Sequence, residues 1–152
     1  MSDSPFEDIW ASLVSFCQSQ IAELKLAGVS ADLQYYDFDS FSGVTVIPNK
    51  DLIGLQGFSL DIEKQLVVVE VIFNVSTRDD DTYLTRHRKL LGHMLRVSLP
   101  GTQIPHVDAL TGAPLGTLVI GANVSLFPIQ RVLNRSSQGV GVELRSTVAL
   151  KA

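Results

Sequence analysis

The stretch QLVVVEVIFNVS, residues 65–76, places Val67, Val69, Val71, Phe73 and Val75 on one side and Leu66, Val68, Glu70, Ile72 and Asn74 on the other. Such alternation is that of a β-strand with one apolar face and one mixed face. The first face belongs in a core and the second is half covered. At about 3.3 Å per residue the strand spans roughly 35 Å, long enough to extend beyond a small sheet.

Upstream, Phe58 to Ile62 reads as a neighbouring strand, and Asp32 to Phe38 and Val44 to Ile47 as two more, split by the turn-like run from Asp39 to Gly43 and ended by Pro48. Between these lies Asn49 to Gly57, read as a loop because of Gly54 and Gly57, with Leu52, Ile53 and Leu55 exposed at its tip. The N-terminal segment has helical spacing: Phe6, Ile9, Trp10, Leu13, Val14, Cys17, Ile21 and Leu24 recur every three or four residues. Ser4-Pro5-Phe6-Glu7 is a helix start and Gly28 a helix stop, so the helix ends near Ala27.

Downstream, Thr77 to Thr82 opens a second helix, with Asp79, Asp80 and Asp81 where the helix dipole favours negative charge. Its apolar stripe is Tyr83, Leu84, His87, Leu90, Leu91, Met94 and Leu95; Arg86, Arg88, Lys89 and Arg96 occupy the remaining surface, and Pro100-Gly101 ends it. Gly101 to Gly116 follows as a long loop carrying Ile104 and Leu115, then strands at Thr117 to Phe127 and Gly139 to Leu150 around a polar connection from Pro128 to Gln138. The order α-β-β-β-β-α-β-β predicts one α+β domain over residues 1–152: a mostly antiparallel sheet with two amphipathic helices packed on one face.

Composition narrows the function. At 152 residues the chain can hold a full core, yet only 18% of it is charged and its mean hydropathy is +0.23, which leaves apolar surface for partners. No apolar run reaches the roughly 18 residues of a membrane span, and the acidic N-terminus lacks the features of a secretory signal. A net charge of −4 argues against a dedicated nucleic-acid binder. Cys17 has no internal partner and reads as a packing residue. The Asn-x-Ser tripeptides at Asn74, Asn123 and Asn134 read as chance.

An enzyme should leave a local trace, and none is evident. Consecutive aspartates on a helix point apart, so Asp79 to Asp81 do not converge on a metal. His87 and His93 are separated by six positions rather than four, and His106 stands alone. Neither Gly139-Val140-Gly141 nor the run from Gly112 to Gly116 has the lysine of a phosphate loop. No cofactor is called for. The basic stripe on the second helix reads as a solvated or subunit-facing surface.

The arrangement resembles the tail terminator family of long-tailed bacteriophages, small α+β proteins that form a hexameric ring on the completed tail tube. The likeness lies in the amphipathic helix Pro5 to Leu26, the strand pair ending in Val44-Thr45-Val46-Ile47-Pro48, the strand Gln65 to Ser76, the helix Asp79 to Leu99 entered through acidic residues, and the terminal strand from Gly139 to Val148. The resemblance implies a structural virion protein without catalytic activity, assembled in the host cytoplasm. It would act in head–tail joining at the neck. Its implied partners are five further copies in a homo-hexamer, the tail tube protein, the head-completion or connector protein and, as a further candidate, the sheath protein. DNA would meet it only in passage. On this reading Leu52, Ile53, Leu55, Ile104 and Leu115 at loop tips, with Arg86, Arg88 and Arg96, form the subunit interface. Two alternatives stay open: another neck or tail-completion protein of a phage or contractile injection machine, and a small-molecule-binding α+β domain with its pocket between helix and sheet.

Overall fold

The computed structural model of the chain describes residues 4–34, 36–37, 43–44, 50–80, 82–132 and 134–147. Helix α1 (Pro5–Leu26) starts where the Ser4 hydroxyl accepts a hydrogen bond from the Glu7 amide, with Pro5 in the first turn. It ends at Ala27 as the sequence predicts. Gly28 takes a φ of +83° there, and the Val29 amide turns back to donate to the Leu24 carbonyl.

Four strands or strand fragments follow: β1 (Asp32–Gln34), β2 (Tyr36–Asp37), β3 (Gly43–Val44) and β4 (Leu52–Glu63). Then come β5 (Leu66–Arg78), helix α2 (Tyr83–Val97), β6 (Gln103–Val107), β7 (Pro114–Leu126), β8 (Gln130–Val132) and β9 (Arg135–Ser146). The main sheet runs β1-β4-β5-β9-β7-β6, with β8 also paired to β9, while β2 and β3 form a separate ribbon. All pairings in the main sheet are antiparallel except β1 on β4. The class is α+β, as expected. Residues 35, 38 and 45–47 of the expected strands, most of the expected turn between them, Pro48 and Asn49, and the end of the terminal strand from 148 to 150 lie outside the described residues.

The alternation of residues 65–76 is realised in β5. Val67, Val69, Val71, Phe73 and Val75 are 0–2% exposed in a single core with Ile9, Leu13, Phe16 and Cys17 of α1 and Leu90 and Met94 of α2. Each such side chain contributes about 1.5–3 kcal/mol by leaving water. The Phe16 and Phe73 rings meet with centroids 5.5 Å apart, so α1 does lie over this face. The sheet curls around that helix. At one edge the Ser12 hydroxyl accepts from the Val107 amide and the Asp8 carboxylate from the Ala109 amide, both at 2.9 Å. Toward the other edge, Phe6 and Trp10 stack on Phe58 of β4, with centroids 4.9 and 6.0 Å apart.

Several local expectations are corrected. The Asn49 to Gly57 loop is largely strand: β4 begins at Leu52, continues through Gly54 and shifts register between Leu55 and Gly57. Gly54 is obligatory there, since a Cβ would stand 1.4 Å from the Gln34 carbonyl oxygen of β1. The Gly101 to Gly116 loop contains β6, whose Pro105 is tolerated because β6 is an edge strand. The polar connection from Pro128 to Gln138 contains β8 and the first residues of β9, joined by a tight turn with Asn134 at φ +62°. Helix α2 starts at Tyr83, later than expected, and has no acidic residue in its first turn.

Candidate functional site

The apolar residues proposed for a subunit interface are mostly core. Leu52, Ile53 and Leu55 are 0% exposed in β4, and Ile104 is 0% exposed in β6. The exposure that placed them at loop tips is absent, and with it the reason to assign them to a subunit contact. The two glycines that suggested a loop instead permit close strand approach and a bulge. Leu115 is half-buried at the start of β7.

Of the basic residues on α2, Arg86 is committed within the chain. Its Nε donates to Asp51 Oδ2 at 2.8 Å, one terminal nitrogen to Asp80 Oδ1 at 2.6 Å and the other to the Arg78 carbonyl at 2.9 Å. Burial pushes the Asp51 carboxyl up, but hydrogen bonds from Arg86 and the Arg78 amide outweigh it, leaving its pKa below the ordinary value. Exposed Asp80 is held down at about 2, first by its hydrogen bond from Arg86 and then by the Thr82 amide. The aspartates before α2 are therefore not simple dipole partners: Asp80 binds Arg86, Asp79 pairs with Arg131, and Asp81 lies outside the described residues. Arg88 is exposed. Arg96, also exposed, donates to His93 Nδ1 at 3.0 Å.

This cluster forms the wall of a cleft of about 570 Å³ between the C-terminal end of α1, β1 and α2. Lys25, Lys50, Arg78 and Lys89 line it together with Ser30 and Asp32. The guanidinium of Arg135, 8% exposed, reinforces the strands behind it by donating to Ser76 Oγ at 2.8 Å and to the carbonyls of Ser76 and Lys50.

Among the described residues no helix lies over the opposite face of the sheet. Here a groove of about 580 Å³ crosses β4, β5, β9 and β7, lined by Phe58, Ile72, Asn123, Phe127, Gly141 and Glu143 among others. Gly139 and Gly141 seat the side chains on this face. A Cβ on Gly139 would meet Ile72 Cγ2 at 2.7 Å, and one on Gly141 would meet Phe127 Cε2 at 2.9 Å. Phe127 nevertheless remains 43% exposed on this face, while its neighbour Leu126, paired with core Val140, lies on the other face at 49% exposure. These two glycines were weighed in the sequence only as a phosphate loop. Their alternation on one side of a strand was the available signal for an aromatic seat.

The histidines sit apart. His87 lies between Thr77 Oγ1 at 2.9 Å and Gln138 Oε1 at 3.0 Å, and His93 Nε2 is 2.8 Å from Gln20 Oε1. His106 is 0% exposed, and neither of its ring nitrogens has a hydrogen-bond partner among the described residues. Burial lowers its pKa, against the nearby Asp8 carboxylate. Cys17 is fully buried, which pushes its thiol up to about 12. Among the described residues no three metal-ligating side chains converge, and no helix is long and apolar enough to cross a membrane. No protein-family model matches the chain, and no curated protein matches it in sequence.

Proposed function

We propose that this chain is a structural subunit that assembles with copies of itself, of the kind that caps a phage tail tube and joins it to the head connector. The observation that carries the reading is the outer face of the sheet, over which no described helix lies and where Phe127 stands 43% exposed on a seat lined by Gly139 and Gly141. A half-exposed aromatic ring set in a groove of this kind calls for a protein partner. The partners on this reading are a homo-hexameric ring of the chain itself, the tail tube protein, the head-completion protein and a sheath protein, with the virion neck as the location. The ring contacts are head to tail, so the ring closes by geometry and not by a two-fold axis. Light scattering on concentrated protein should give six-fold mass, and negative-stain images should give rings that bind one end of isolated tail tubes. A monomer at every concentration sinks the proposal.

A second reading rests on the cleft of about 570 Å³ between helix ends and sheet, which has the size of a small-ligand site and a rim of Lys25, Lys50 and Lys89. It calls for a small anionic ligand. Calorimetric titration with inorganic phosphate and with a short dicarboxylate separates it from the first reading. Saturable heat from a monomer supports the pocket; no heat together with six-fold mass supports the ring.

A further inference from the structure

The chain carries twelve lysines and arginines against sixteen aspartates and glutamates, yet five of the twelve meet at one cleft. Lys25 comes from the last turn of α1, Lys50 from the segment before β4, Arg78 from the end of β5, and Arg86 and Lys89 from α2. Four separate segments therefore bring cations to a space of about 570 Å³. Among the described residues only Asp32 and Asp51 oppose them there, so five cations against two carboxylates leave a surplus of three. That surplus stands in a protein whose net charge is −4. Like charges gathered this closely repel one another unless an anion lies between them.

Asp51 sets the geometry. It is 6% exposed, accepts from Arg86 Nε at 2.8 Å and from the Arg78 amide at 3.0 Å, and stands 3.4 Å from Arg78 Nε. Arg86 is used up, because its terminal nitrogens go to Asp80 and to the Arg78 carbonyl. Arg78 is not. Tethered through Nε, it keeps both terminal nitrogens without a partner among the described residues, and its side chain is 40% exposed. Lys25, Lys50 and Lys89 are exposed and make no ion pair among the described residues. Their backbones are nevertheless fixed: Lys25 and Lys89 are helical, and the Lys50 carbonyl accepts from the buried Arg135 guanidinium.

The matching ligand carries more charge than one small group supplies. A single phosphate brings about −1.5 to −2 at pH 7 and leaves part of the surplus unmatched. Two linked phosphates add a second set of oxygens, and these suit both the point charges of lysines and the planar fork of an arginine. We infer that the cleft binds a diphosphate group, held by the free edge of Arg78 and by Lys25, Lys50 and Lys89. This inference rests on the small-ligand reading of the cleft and names the chemical class of its ligand.

The test titrates the full chain calorimetrically, at fixed ionic strength, with inorganic diphosphate, orthophosphate and citrate. It is repeated on Lys50→Ala, Lys89→Ala and Arg88→Ala, all at exposed positions; Arg88 shares α2 with Lys89 but does not line the cleft. Thermal melts confirm that each variant is folded and give a second measure of binding through the rise in Tm. Diphosphate should fill one site per chain and bind about tenfold tighter than orthophosphate or citrate. Lys50→Ala and Lys89→Ala should each weaken it about tenfold, and Arg88→Ala should leave it unchanged. Orthophosphate or citrate binding as tightly as diphosphate overturns the diphosphate assignment while leaving an anion pocket standing. Equal losses in all three variants, or none in the two cleft variants, place the anion elsewhere and overturn the inference. No binding of any of the three anions, by heat or by Tm, overturns the inference and the small-ligand reading together.

Discussion

Val71 and Ile72 are neighbours in β5 and meet opposite surroundings. Val71 is 2% exposed under the two helices, whereas Ile72 is half-buried on the bare face, next to the seat of Phe127. On the helix side the packing excludes water, so the constraint at each position is volume and the absence of charge. On the bare side, volume has been removed: Gly139 and Gly141 make room for Ile72 and Phe127, yet Phe127 stays 43% exposed. One face is finished by the chain itself. The other is shaped and left open, and that contrast separates stability from assembly within a single strand.

The contrast breaks most readily at Val71. Val71→Asp places an unpaired charge in the core and should cost about 4 kcal/mol or more, enough to abolish the cooperative urea transition. A native transition in that variant would mean that the helix side of β5 is not a sealed core. A step smaller, Asp51→Ala removes the carboxylate that binds Arg78 and Arg86 and should cost about 2 kcal/mol, moderated because both arginines keep contact with water. Because the folded pKa of Asp51 lies below its ordinary 3.8, its contribution is fully present above that value and is lost as pH falls through the folded value. The acid limb of a stability–pH curve should therefore flatten in the variant, and an unchanged limb would show that another carboxylate governs acid unfolding.

His106 sharpens the same comparison on the core side. Its folded pKa lies below the ordinary 6.5, so between the two values the unfolded chain binds a proton that the folded chain does not. Stability should decline as pH drops below about 6.5. His106→Leu should remove that decline, and a slope that survives the change assigns the proton elsewhere. On the bare side the effects shrink. Gly141→Ala forces the Phe127 ring to give way and should cost about 1 kcal/mol in the melt. Ile72→Thr should stay within about 0.5 kcal/mol in the monomer while reducing association, measured by light scattering. A large loss of monomer stability from Ile72→Thr would close the gap between the two faces.

The features legible in the sequence are those where one periodicity holds without interruption. The odd-numbered apolar residues of 67–75 and the cap at Gly28 appear where expected, and the α1 stripe does so in part: Ile9, Leu13, Cys17 and Leu24 are buried, but Phe6 is exposed and the buried face also takes in Asp8, Ser12, Phe16 and Gln20. The misreadings share a cause: a glycine, a proline or a histidine stands inside a regular element for a reason that is only tertiary. Gly54 looked like a loop residue because its purpose, the approach of β1, is invisible along the chain. β6 was lost because Pro105 breaks the pattern and because His106, counted as polar, points inward with Ile104. The Arg86 cluster was half visible: the basic stripe could be read, but its anchor Asp51 is 35 positions away and sat in a presumed loop.

Helix α1 also sets a timetable for synthesis. It leaves the ribosome well before the strand that fastens it, since Ser12 and Asp8 find their backbone partners at Val107 and Ala109, separations of 95 and 101 residues. At roughly 5–20 residues per second, the helix spends roughly 5–20 s made but undocked, with Ile9, Leu13 and Phe16 uncovered. Nascent chains arrested before Val107 should bind a chaperone through this helix and yield it to protease, and chains extended well past Ala109 should resist. In a crowded cell the helix that fastens the finished sheet is, until then, the part of the molecule most in need of a guardian.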